Sequence, residues 1–154
     1  HRPAEFRAFF AYHDALMERE ADSLTQAEKE MIVVAVSADH GCLYCVVAHG
    51  AILRILAKDA QLADQIAVNY RTAPISERQR TMLDFALHLA AGRGVLDDAW
   101  QARLEAQGFS LDDIWDIGAI AGLFGLSNRL VSMARTPPND EFYLLGRVPR
   151  SPAR

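Results

Sequence analysis

The sequence predicts an all-α fold, and three observations carry that expectation. No segment alternates apolar and polar residues between hairpin turns, as half-buried strands do. Three polar pairs at capping-box spacing stand just before apolar runs: Thr25 with Glu28, Ser76 with Gln79, and Ser110 with Asp113. Glycine or proline closes several of those runs, at Gly41, at Gly92 and Gly94, at Gly108, and at Pro137-Pro138.

Each element follows from these signals in turn. A first helix is expected from about Pro3 to Arg19, with Phe6, Phe9, Phe10, His13 and Leu16 on its apolar face. A second runs from the Thr25 cap to about Ala38. Its middle, Met31 to Val36, is apolar all round, which predicts burial on most sides. His40-Gly41 breaks it, and a third helix begins at or just before Cys42 and reaches about Lys58. A shorter helix covers Asp59 to Tyr70. Ser76 opens a helix to about Ala91, Asp97-Asp98 opens the next, and Ser110 opens a long last helix to about Ala134. A weak repeat at an offset of 51 aligns Thr25 with Ser76, Met31 with Met82, Ile32 with Leu83 and Ala35 with Ala86. Two related helical halves are one reading; chance similarity of two capped helices is the other.

Composition narrows the class. The chain has 154 residues, enough for a single domain spanning 1–154 with its own core. Hydrophobic residues make up 51% and charged residues 23%, which excludes a disordered chain. The net charge is −4, so no nucleic-acid footprint is expected. Arg129, Arg135, Arg147, Arg150 and Arg154 are spread among apolar and proline residues and read as solvated or interface charges. The longest apolar stretches, Met31 to Val36 and Ile117 to Leu126, fall short of the roughly 20 residues of a membrane span. Two cysteines do not make a secreted disulfide framework, and a lone C-x-x-C fits a reducing, cytoplasmic setting. The chain opens at His1 rather than methionine, so a further N-terminal segment is expected, targeting signal included or not. The tail, residues 137–154, is too rich in proline and glycine for regular structure. It nevertheless carries Phe142, Tyr143, Leu144 and Leu145, which predicts that it packs on the body or on a neighbouring subunit.

The chemistry is concentrated in Glu30, Cys42, Cys45 and His49, and both cysteines of the chain are among them. On a helix, positions 42, 45 and 49 fall within roughly 60° of one another, so one face presents two thiols and an imidazole. A thiolate is the nucleophile in thiol redox chemistry, and a second thiol and a proton shuttle complete the equipment. Cys42 has the helix N-terminus in its favour. Cys45 has His49 one turn further on, at i+4. Glu30, on the preceding helix beside an apolar run, needs a partner or a proton, and can end a Glu–His–Cys relay.

The pattern Leu24-Thr25-x-x-Glu28-x-Glu30, then Cys42-x-x-Cys45-x-x-x-His49, resembles the AhpD-like alkylhydroperoxidases of the carboxymuconolactone decarboxylase superfamily. Ser76 to Leu87, Ala106 to Ser110, Ser127 to Leu130, and Asn139 to Phe142 are similar to its peroxidase-related subgroup, and the likeness spans roughly Phe9 to Arg147. Decarboxylase members lack the paired cysteines, so Cys42 and Cys45 argue against that activity. The resemblance implies an AhpD-like helical domain, a homo-oligomer that is often trimer-based, and hydroperoxide reduction through the cysteine pair. It implies Cys45 as the peroxidatic residue, Cys42 as the resolving one, and an external dithiol, of dihydrolipoyl type, as reductant. No cofactor is expected, and neither nucleic acid nor membrane as partner. Some members carry a histidine where this chain has Tyr44, so one relay imidazole of the family pattern is absent here.

Two other functions compete. The dithiol can serve as a redox sensor or disulfide exchanger on the same fold. A zinc-stabilised interaction module would draw on Cys42, Cys45, His49 and either His40 or Glu30. Among the remaining candidates, His13 and His88 read as core histidines, His40 as a helix-end cap or site lining, and Tyr44 as a pocket wall. Asn128-Arg129 reads as an anchor for the tail or a subunit contact, and Trp100 and Trp115 as core or interface. The physiological hydroperoxide, the reductant's identity and the oligomer number are not written in these residues.

Overall fold

The structure, a computed structural model, describes residues 2–19 and 23–147. Among these residues it contains seven α-helices, one 3-10 turn and no strand. They are α1 (Pro3–Met17), α2 (Gln26–Asp39), α3 (Leu43–Ala57), α4 (Leu62–Asn69), α5 (Glu77–Ala90), α6 (Asp98–Ala106), α7 (Leu111–Ala134) and the 3-10 turn η1 (Asp140–Tyr143). The all-α expectation is met.

The three expected capping boxes all form, each with the cap hydroxyl accepting from the backbone N–H three residues on. The Glu28 box is tied further: Glu28 Oε1 accepts from Arg78 at 2.6 Å, and the Arg78 guanidinium lies 3.7 Å over the Phe109 ring. The start of α2 is thereby fastened to α5 and to the loop before α7.

Helix α2 is the axis of the fold. It packs against α3, α4, α5 and α7, as expected for a helix apolar on every side. Met31, Ile32, Val33, Val34 and Val36 are essentially inaccessible. The residues aligned with them by the repeat, Met82, Leu83 and Ala86, are equally buried on α5.

Helix α7 corrects the membrane arithmetic: its 24 residues are long and apolar enough to cross a bilayer by length and composition. In the fold it packs against α1, α2, α5 and α6, and it carries buried Asp113, Asp116 and Asn128.

Four features depart from expectation. Helix α1 stops at Met17 rather than Arg19, because Lys29 Nζ takes the carbonyls of Leu16 and Arg19, at 2.8 and 2.6 Å. Lys29 is fully buried, and its ammonium is pushed below its ordinary range by that burial, against the pull of Asp116. Asp59 is not helical; its carboxylate caps Gln61 and Leu62, so α4 starts later. The tail has one regular turn, η1. Arg147, expected as a solvated or interface charge, forms a bidentate ion pair with Asp64 at 2.6 and 2.7 Å. Residues 148–154, with Arg150 and Arg154, lie outside the described residues.

The apolar face of α1 is also corrected. Only Leu16 and Met17 are buried there, whereas Phe6 and Phe10 are exposed. That face walls a cavity instead of sealing a core. Trp115 is 73% exposed and so is not a core residue; Trp100 is half-buried against Phe85 and His88.

Candidate active site

Chain geometry at the α2–α3 connection sets up the site. Gly41 adopts φ +65°, a left-handed conformation that glycine takes without a side-chain penalty. This tight turn reverses the chain, and the Cys42 N–H bonds back to the Ser37 carbonyl at 2.9 Å. Cys42 is the N-cap of α3 and Cys45 lies in its first turn. Both thiols are free and buried, and their sulfurs are 2.7 Å apart.

The reversal also lays α3 against α2, which brings Glu30 to His49. Glu30 Oε2 and His49 Nδ1 are 2.8 Å apart, and both side chains are largely buried. Phe124, from α7, packs nearly perpendicular to the His49 ring at a centroid distance of 4.7 Å. The four residues selected from the sequence therefore converge from two helices as two pairs, thiol with thiol and carboxylate with imidazole.

Cys45 is held as a thiol. Burial is the largest cause, followed by the hydrogen bond and charge of Cys42, and together they push it up to about 12. Hydrogen bonds from the Ser127 side chain and from the Cys45 backbone N–H pull weakly the other way. A thiol held protonated in this way gains nucleophilicity when a nearby base takes its proton.

A cavity of about 690 Å³ opens onto Cys45 and His49. Its floor includes Tyr44, Cys45, Ala48 and His49 of α3 with Phe124 and Ser127 of α7. Phe6, Phe9, Phe10 and His13 of α1 form one wall, and Ile52, Ile55, Leu130 and Val131 form others. Phe142 and Leu145 close it from the tail, whose carbonyls at these two residues accept from the buried Arg54 at 2.7 and 2.9 Å. Cys42 is not among the lining residues. The volume lies in the range of small-molecule sites, and the walls are mostly apolar.

A second, smaller cleft of about 330 Å³ is bounded by His40, Asn128, Arg129 and Ser132. Asn128, expected to hold the tail or a subunit, instead accepts from Ser37 at 3.0 Å and contacts His40 Nδ1 at 3.1 Å. It braces the turn that presents Cys42. Arg129 bonds the Gly125 carbonyl of its own helix.

Sequence reasoning missed three contributors. His13 lines the cavity rather than the core. Ser127 borders Cys45, and its signal was a polar Ser-Asn step within an otherwise apolar helix. The aromatic wall of α1 looked like a core face because its spacing is the same for either purpose. Tyr44 is a cavity wall, as expected. The zinc reading loses its basis: among the described residues no three His, Cys, Asp or Glu side chains are grouped as a metal ion would require.

Comparison with known proteins bears on the fold and the family. The sequence profile of the carboxymuconolactone decarboxylase family matches residues 3–71. No curated protein sequence matches the chain. Among solved structures, an uncharacterised peroxidase-related protein from Ralstonia eutropha JMP134, described as having an alkylhydroperoxidase AhpD core, is 57% identical. The alignment covers 97% of this chain and 78% of that one, with a TM-score of 0.94. An uncharacterised peroxidase-related protein from Silicibacter sp. TM1040 is 41% identical over 92% of this chain and 73% of its own, with a TM-score of 0.87. A protein of unknown function from Agrobacterium tumefaciens shares the fold at 22% identity, covering 89% and 92%, with a TM-score of 0.77. With the paired thiols and the carboxylate–imidazole pair on this helical frame, the chain belongs to the AhpD-like, peroxidase-related proteins of the carboxymuconolactone decarboxylase superfamily.

Proposed function

We propose that this chain is a cysteine-based hydroperoxide reductase in which Cys45 attacks the peroxide and Cys42 resolves it. The observation that carries this reading is that Cys45 alone of the two thiols faces the apolar cavity, with Cys42 in contact behind it and the Glu30–His49 pair beside it.

The chemistry follows from those positions. A hydroperoxide entering the cavity loses water from its apolar part. His49, oriented through Nδ1 by Glu30, takes the Cys45 proton. The thiolate bonds to the terminal peroxide oxygen and the O–O bond breaks; the departing alkoxide takes up a proton to leave as an alcohol, with Cys45 now a sulfenic acid. Cys42 then attacks the Cys45 sulfur and water leaves. From 2.7 Å the sulfurs need to close by about 0.7 Å to reach a disulfide. An external dithiol, of the dihydrolipoyl type that the family likeness suggests, returns the pair to thiols. A homo-oligomer, trimer-based on the same likeness, would cover exposed apolar side chains such as Met133 and Leu144. The paired thiols suit a reducing compartment.

The direct test is the intact mass of the reduced protein before and after one equivalent of cumene hydroperoxide. Loss of two hydrogens with both thiols gone is the expected result, and Cys45→Ser is expected to abolish it. An unchanged mass with both thiols free would overturn the reading, and rapid exchange with a small disulfide in the same protein would point to disulfide exchange instead.

A further inference from the structure

His13 is the one imidazole of the cavity that the scheme above does not use. It stands on α1, across from α3, and lines the same space as Cys45 and His49. Both imidazoles pack against the same Phe124 ring at steep angles, with centroids 4.7 Å apart for His49 and 6.2 Å for His13. Each imidazole also has a carboxylate on Nδ1: Glu30 at 2.8 Å for His49 and Asp14 at 2.9 Å for His13. That pairing orients a ring and leaves Nε2 as the nitrogen for a bound oxygen. The remaining charged groups of the cavity, Arg2 and Glu5, are paired with each other at 2.9 Å.

The need for such a group is chemical. Attack by Cys45 expels the second peroxide oxygen, and for an alkyl or aryl-alkyl hydroperoxide that oxygen leaves as a strongly basic alkoxide. It leaves on the side of the peroxide away from the sulfur, into the cavity that His13 lines.

Resting on the peroxidase reading, we propose that His13 is a second catalytic imidazole, which protonates the departing alkoxide of a bulky organic hydroperoxide. The balance is as follows. The Cys45 proton passes to His49, and sulfur bonds to the terminal oxygen, which keeps its own hydrogen. The O–O electron pair leaves on the second oxygen, which takes a proton from the His13 imidazolium. Sulfur is oxidised from thiol to sulfenic acid and the hydroperoxide is reduced to an alcohol. Solvent then returns a proton from His49 to His13.

A leaving-group series separates this role from a structural one. The full chain and its His13→Gln and Asp14→Asn variants would be reacted, in single turnover, with cumene hydroperoxide and with peroxybenzoic acid. The peracid expels a carboxylate, which needs no proton. His13→Gln is expected to slow cumene hydroperoxide by about 10²-fold while leaving the peracid within about threefold, and Asp14→Asn to shift the ratio the same way by less. Equal slowing with both oxidants, or with neither, would overturn the assignment while leaving Cys45 chemistry intact. Failure of the unmutated chain with both oxidants would instead overturn the peroxidase reading and this inference with it.

Discussion

Glu30 Oε2 sits 2.8 Å from His49 Nδ1, although 19 residues and a helix reversal separate them. The contact exists because α2 and α3 pack side by side along much of their length. It gives each buried polar side chain a partner inside an apolar layer, one turn along α3 from a thiol whose ionisation burial opposes.

If the pair acts as one relay, its members are not additive. Glu30→Gln and His49→Ala are each expected to slow oxidation of Cys45 by organic hydroperoxide by about 10²-fold, and the double variant to be no slower than His49→Ala. Stopped-flow single-turnover rates check this. Multiplicative losses in the double variant would mean that the two residues act separately.

The Cys45 thiol is raised by burial first and by Cys42 second. Raising a thiol's titration postpones its ionisation, so alkylation of Cys45 by iodoacetamide is expected to climb with pH well past 9. Replacing Cys42 with alanine removes the Cys42 causes and leaves burial. The midpoint is then expected to move to lower pH, read by mass spectrometry of the Cys45 peptide. A midpoint that stays or rises would show that Cys42 does not hold the proton on its neighbour.

Arg54 ties the tail to the cavity through the Phe142 and Leu145 carbonyls, and Gly146 passes so close that an added Cβ would fall 2.7 Å from Arg54 Cβ. Arg54→Met deletes two charge-assisted bonds of about 1.5–3 kcal/mol each. The expected result is faster proteolysis beyond α7 and a several-fold higher KM for cumene hydroperoxide, with hydrogen peroxide turnover unaffected. Unchanged proteolysis and KM would mean that the tail is held by its apolar residues alone.

Asp113 is buried at the start of α7. Burial alone would raise its carboxyl, but hydrogen bonds from Ser23 and Ser110 outweigh it and hold the group below its ordinary value. A depressed carboxyl contributes stability that is present above pH of about 4 and is lost as pH falls through its native value. Asp113→Asn is therefore expected to cost about 1–2 kcal/mol at pH 7 and progressively less toward pH 2, measured by urea unfolding. A cost independent of pH would show that the carboxylate's charge is not what matters.

What could be read from the chain alone was what lies within a few residues along it. The three capping boxes, the buried run of α2, and the placement of Cys45 and His49 one turn apart on α3 depend on local backbone geometry, which repeats at a known angle per residue, whereas Cys42 is the extended N-cap of α3 and leaves that face. Relations between helices were decided only by packing. The same spacing that makes Phe6, Phe9, Phe10 and His13 look like a core face serves equally to wall a cavity, and only the path of α1 past α7 chose between them. Asn128 turned inward to brace the Cys42 turn, and Arg54 reached the tail 88 and 91 residues away, for the same reason. Buried polar groups must find partners, and which ones they find depends on how whole helices cross.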